Sequence, residues 1–220
     1  MVELIRGLRA ERVRSNLEQV RERIAGAGRD PATVQILAAV KYVALEELGT
    51  LAEAGLTLLG ENRAQDLVSK AEAHPGCFTW DFIGALQSRK VPLLLPHVRY
   101  IQTVASDSAL AQLDRHRDGA GRPVRVLVEV NVAGEEGKAG IAPVDLDGFL
   151  DRCPVDVVGL MTMPPLAQRP EDSRRHFAAL RELAEARALP ELSMGTSQDY
   201  AVAVQEGATI IRLGSTLFAS

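Results

Sequence analysis

Val126-Leu127-Val128-Glu129-Val130-Asn131-Val132 is an almost continuously apolar, β-branched run. A strand with one face in water alternates apolar and polar residues, whereas a strand covered on both faces does not need to. Both faces of a sheet are covered when helices separate its strands, so the flanking sequence should alternate in type. Apolar β-rich runs recur at 34–40, 56–59, 80–84, 99–104, 155–160, 191–194 and 208–213. Helical patterns fall between them near 44–54, 62–73, 86–95, 107–118, 143–152, 171–188 and 198–206. Eight strand candidates in one unbroken series predict an α/β fold, a single (β/α)8 barrel of TIM type, rather than an open doubly wound sheet. Ile5, Leu8, Val13, Leu17, Val20 and Ile24 recur at helical spacing before Gly26-Ala27-Gly28. They predict an extra N-terminal helix within 1–27, packed on the barrel. No linker composition divides residues 1–220, which are expected to form one domain.

Hydrophobic residues make up 46% of the chain and aromatics only 4%, so the core must be aliphatic, as barrel interiors are. The formal net charge of −4 gives no long-range attraction to nucleic acid or to an anionic membrane. Any anion must then be held by a local site. Cys77 and Cys153 stand in no paired motif, which suits reduced thiols in the cytoplasm. No apolar run approaches the roughly 18 residues of a membrane span. Acidic residues at Glu3, Glu11, Glu18 and Glu22 argue against a transit peptide. His74, His97, His116 and His176 lack ligand spacing, so no metal is expected.

In a barrel of this kind the chemistry sits where the strands end. The first strand delivers Lys41 and the second Glu61-Asn62. The seventh runs into Ser193-Met194-Gly195-Thr196-Ser197 and the eighth into Arg212-Leu213-Gly214-Ser215. The last two loops combine glycine, hydroxyls and a following helix start, the usual place for a phosphate in this architecture. Ser197 and Ser215 serve there as donors to an anion or simply as helix caps. Lys41 follows Ile36-Leu37-Ala38-Ala39-Val40, so it is expected half-buried, with an amine made nucleophilic by lost hydration; the alternative is a lysine that snorkels to solvent. Arg212 is expected either to donate to a ring nitrogen of a ligand or to pair with Glu129 or Glu61. Met161 and Met163 are expected to pack at the mouth, and 134–140 to form a flexible, solvated loop. An amine facing a phosphate cradle fits a phosphorylated aldehyde.

These segments resemble the pyridoxal phosphate homeostasis proteins over nearly the whole length. The resemblance is carried by Leu37-Ala38-Ala39-Val40-Lys41, Leu59-Gly60-Glu61-Asn62, Trp80 to Lys90, Val130 to Gly140, Gly159 to Pro165, Leu192 to Ser197 and Ile211 to Gly214. It implies a barrel like the N-terminal domain of alanine racemase, with pyridoxal 5′-phosphate (PLP) held as a Schiff base on Lys41. It further implies Asn62 beside the cofactor, Ser197, Gly214 and Ser215 at the phosphate, and Arg212 facing the pyridine nitrogen. Where the family often has histidine, this chain has Asp81 and Ala85. Tyr42 replaces threonine, Thr196 replaces methionine and Ser215 replaces threonine. The first two changes put in doubt any role assigned to those histidines, but not cofactor binding.

The resemblance implies a carrier that buffers PLP and passes it to PLP-dependent apoenzymes, with no established catalytic activity. An amino-acid racemase is the alternative, and a barrel binding another phosphorylated metabolite a weaker one. Racemisation needs a second acid/base opposite the lysine, which alanine-racemase-like enzymes take from a C-terminal domain that this chain is expected to lack. Tyr42 is expected to point to the other side of its strand from Lys41, and Tyr100 and Tyr200 are not well placed. Arg212 cannot give the ring nitrogen a proton, which weakens the ring as an electron sink. With no second domain to dimerise through, a monomer is expected.

Overall fold

The computed structural model describes residues 3–219. Eight parallel strands close into a barrel in chain order: β1 (Gln35–Ala39), β2 (Leu58–Glu61), β3 (Thr79–Phe82), β4 (Val98–Val104), β5 (Arg125–Glu129), β6 (Asp156–Met161), β7 (Glu191–Thr196) and β8 (Ile210–Leu213). Closure is made by β1 against β8, with Leu37 beside Arg212 and Ala38 beside Leu213. The helices are α1 (Ala10–Gly26), α2 (Leu48–Glu53), α3 (Ala64–Ala73), α4 (Val91–Leu94), α5 (Asp107–His116), α6 (Leu146–Asp151), α7 (Arg174–Glu185), α8 (Tyr200–Gln205) and α9 (Ser215–Phe218). The closed barrel expected from the alternation is therefore the fold.

Alternation along each strand sorts the side chains. Leu37, Tyr100, Leu127, Met161 and Ile210 form an apolar cluster of their own inside the barrel. Their neighbours in sequence, among them Ala38, Ile101, Val126, Val128 and Ile211, belong to the larger core between strands and helices. By the same alternation Asp81, Gln102, Ser193 and Arg212 face inward, and all four are buried.

In α1, Val13, Leu17, Val20 and Ile24 are buried at spacings of four, three and four, one face of a helix. Each such burial is worth roughly 1.5–3 kcal/mol. The helix lies along the barrel wall against α2, α8 and α9. Asn16, also buried, donates to Leu217 O at 3.1 Å and Ala219 O at 3.0 Å. The helix is shorter than the periodicity suggested. Ile5 is extended, bridging Val43, with its N–H on Tyr42 O at 2.6 Å. Arg9, not a residue near the start of the chain, flanks the helix N-terminus. A period of three to five is also satisfied by a bridging segment followed by a helix, which is why the pattern over-extended. Residues 1–2 of the expected helix lie outside the described residues.

Segment 134–140 is more ordered than expected. Asn131 Nδ2 donates to Glu135 O at 2.8 Å and its Oδ1 accepts from Glu135 N at 3.2 Å. Val130 bridges Ile141, and Lys138 pairs with Glu135.

Candidate active site at the strand ends

β1 stops at Ala39 and the chain turns at Lys41-Tyr42. Lys41 is therefore exposed rather than half-buried. It lines an open depression of about 700 Å³ with Tyr42, Arg63, Asp66 and Lys70. Because the strand has ended, alternation no longer separates Lys41 from Tyr42. The ammonium sits 4.7 Å from the centroid of the Tyr42 ring, on the same side, contrary to expectation.

Behind this turn is a buried ion pair. Lys70 on α3 donates to Glu61 Oε2 at 2.7 Å and to Val40 O at 2.7 Å, and Glu61 Oε1 accepts from Asn62 N at 2.8 Å. One lysine thus ties down the residue before Lys41, and its carboxylate partner ties down Asn62. Glu61 is consequently unavailable to Arg212. The clue was present in sequence: Lys70 continues the face of Ala64 and Leu67, all three buried on α3.

Asn62 Oδ1 is buried and accepts no hydrogen bond. Its backbone is held from the other side by Gly84, where a Cβ would lie 2.0 Å from Asn62 O. Gly84→Ala should therefore displace Asn62 and cost about 1–3 kcal/mol, read as a lower urea midpoint together with weaker ligand retention at this site. An unchanged midpoint would show that the loop relaxes freely.

The β7 and β8 loops converge. Gly214 N and Thr216 N both donate to Ser197 Oγ, each at 3.3 Å, slightly longer than an ordinary N–H···O bond. Thr216, not singled out from sequence, supplies a backbone donor. Ser215 is exposed. Gly195 has φ +90, and a Cβ there would meet Ala203 Cβ at 2.5 Å; only glycine lets the loop pack on α8. Asp199 accepts from Thr196 N at 2.8 Å and from Ser173 Oγ at 2.9 Å, which fixes the loop's shape.

Arg212 donates from Nη1 to Ser193 Oγ at 2.6 Å, and from Nη2 to Thr162 O at 2.8 Å and Met163 Sδ at 3.0 Å. Of the guanidinium's five N–H groups, these contacts use three. Among the described residues it makes no ion pair. Burial pulls it down to about 10, opposed by Glu129 and Asp199, so it stays charged at neutral pH. Burial likewise lifts the Glu129 carboxyl above the usual carboxylate range, against the pull of Arg212 and Lys138. Met161 is buried as expected, while Met163 is 46% exposed. Among the described residues no three or more His, Cys, Asp or Glu are grouped to hold a metal, and no helix is long and apolar enough to cross a membrane.

The family model for the alanine racemase N-terminal domain matches residues 8–220. A pyridoxal phosphate homeostasis protein of Aquifex aeolicus is 38% identical over 219 residues, covering 94% of this chain and 96% of the relative. The chain belongs to the pyridoxal phosphate homeostasis protein family. Another member, from Pseudomonas aeruginosa, is 36% identical, covering 95% of this chain and 94% of its own. Among solved structures, the family's fold recurs in PipY of Synechococcus elongatus with PLP bound. That chain superposes with a TM-score of 0.81 at 30% identity, covering 94% of this chain and 100% of PipY.

Proposed function

We propose that the chain binds PLP through Lys41, Asn62, Ser197, Arg212, Gly214 and Ser215, and carries it as a reversible covalent adduct for delivery to PLP-dependent apoenzymes. The observation that carries this reading is the set of donors and acceptors left at one end of the barrel. An amine at the end of β1 and a pair of converging backbone N–H groups at the end of β8 stand on strands that are hydrogen-bonded neighbours. Beside them are a buried Asn62 oxygen with no partner among the described residues and a buried guanidinium with no ion-pair partner among the described residues. These groups fit a phosphorylated, aldehyde-bearing pyridine. The PLP bound in the structure of S. elongatus PipY and the names of the relatives support the same ligand.

When bound, the cofactor supplies an electrophilic aldehyde and an electron-withdrawing ring. Lys41 supplies the nucleophile, and its exposure leaves the amine open to exchange with an incoming amine. Gly214 N and Thr216 N, held on Ser197 Oγ by long contacts, would turn to phosphate oxygens, with the Ser197 and Ser215 hydroxyls as further donors. Arg212 would donate a remaining N–H to the ring nitrogen while keeping its own proton. The three tyrosines favour a carrier over a racemase. Tyr42 lies on the lysine's own side, Tyr100 has the Arg99 and Arg125 guanidiniums over its ring, and Tyr200 is buried in α8. We further infer a monomer in the cytosol.

The test is the visible spectrum of the protein after incubation with PLP, before and after borohydride, with mapping of the reduced peptide. A band lost on reduction and an adduct at Lys41 are expected. A colourless, unmodified protein would refute the reading. Ser197→Ala should weaken PLP retention roughly tenfold, as befits one charge-assisted hydrogen bond, measured by equilibrium dialysis. Ser215→Ala should weaken it less, because that hydroxyl is exposed.

A further inference from the structure

A string of buried side chains crosses the barrel interior and ends on Arg212. Arg99 donates to Asp81 from Nε at 2.9 Å and from Nη2 at 2.6 Å. Gln102 Nε2 donates to Asp81 Oδ2 at 2.7 Å. Ser193 Oγ donates to Gln102 Oε1 at 2.6 Å, and accepts from Arg212 Nη1 at 2.6 Å. Asp81, Gln102 and Ser193 are each 0% exposed, so bulk water touches none of them.

We propose that Asp81 is a positioning residue for Arg212, acting through Gln102 and Ser193. This rests on the reading that Arg212 faces the cofactor's ring. The direction of every bond in the string follows from Asp81. Its side-chain neighbours all donate, so both oxygens only accept. Gln102 must then turn its NH2 toward Asp81, which points its carbonyl at Ser193. That carbonyl accepts the Ser193 hydroxyl hydrogen bond and leaves the Ser193 oxygen a lone pair for Arg212. Without the carboxylate, the Gln102 amide is free to flip, and Ser193 loses the acceptor that fixes its proton. Arg99 braces the far end, lying 4.2 Å over the Tyr100 ring. The family resemblance gave Asp81 no role; the geometry gives it one at a distance.

The test titrates PLP into Asp81→Asn, Gln102→Leu, Ser193→Ala and Arg212→Gln, and into the Asp81→Asn/Ser193→Ala pair, recording absorption spectrum and dissociation constant. Circular dichroism establishes that each variant is folded. Arg212→Gln should shift the absorption maximum of the bound cofactor. The other single variants should shift it in the same direction by a smaller amount and weaken binding roughly three- to tenfold. The double variant should match Ser193→Ala, because Asp81 acts through Ser193. Additive effects in the pair, or an unshifted spectrum in folded Asp81→Asn, would overturn the proposal. If Asp81→Asn does not fold, Gln102→Leu decides alone, since it keeps the Asp81–Arg99 pair; an unshifted spectrum there refutes the proposal. An unshifted spectrum in Arg212→Gln instead removes Arg212 from the ring, and the proposal falls with that reading.

Discussion

In Lys41→Ala, borohydride is expected to trap no PLP on the protein, and the unfolding free energy should change by no more than about 0.5 kcal/mol. The first half follows from position. The other lysines are poor substitutes: Lys70 is buried against Glu61, Lys138 is paired with Glu135, and Lys90 lies in the turn after β3. The second half follows from exposure, since the Lys41 side chain fills no part of the core. The expected loss is of covalent attachment, not of all affinity, because the proposed phosphate donors at Gly214 and Thr216 and the Arg212 guanidinium are intact. Mass spectrometry of the reduced protein separates the two. A reduced adduct persisting at Lys138 would relocate the cofactor toward the β5 loop and Glu129.

Lys70→Ala should have the largest effect on stability, about 3–5 kcal/mol, a large part of the 5–15 kcal/mol that holds a typical domain together. The lysine is 7% exposed and Glu61 0%. Truncating one partner leaves a carboxylate in the protein interior with, among the described residues, only the Asn62 N–H as donor. It also leaves Val40 O without its side-chain donor. Urea unfolding measures the cost. The double variant Lys70→Met/Glu61→Leu should recover part of it, because a buried pair replaced by apolar groups of similar volume avoids the uncompensated charge. Equal losses in single and double variants would mean that packing, not charge, is what Lys70 provides. PLP retention should fall in Lys70→Ala even where the protein is folded, since the turn carrying Lys41 and the backbone of Asn62 share this anchor.

The barrel was legible in the sequence because its signal is repeated: eight apolar runs such as 126–132 and 208–213, with helical patterns between them, leave few alternatives. The convergence of the β7 and β8 loops was legible from their place after neighbouring strands, although Ser197 read equally as a helix cap. What sequence could not supply was the point at which a strand stops. Lys41 and Tyr42 would face opposite ways in an extended strand, but β1 ends at Ala39, so they face the same way and Lys41 is exposed. Nor could it supply pairing across the barrel. Glu61 was a candidate partner for Arg212, yet Lys70 takes it. Ser193 read as the end of a strand leading into a loop, with no partner assigned, yet it sits inside the barrel holding Arg212. Such choices depend on which inward-facing residues meet across a closed sheet, which no local pattern encodes.

The hold of Asn16 on Leu217 O spans 201 residues, and the β1–β8 seam spans nearly as many. Contacts between such distant parts of a chain form late and slow the search for the native state. A growing chain can pair β1 through β7 in order as they appear, but the ring stays open until β8 joins, with the flank of β1 unpaired in the meantime. α1, made before any strand, finds much of its apolar face a partner only once α8 and α9 have formed. On this topology the fold is expected to complete in a final closing event, and the loop after β8, lying at that seam, is expected to take its shape only then.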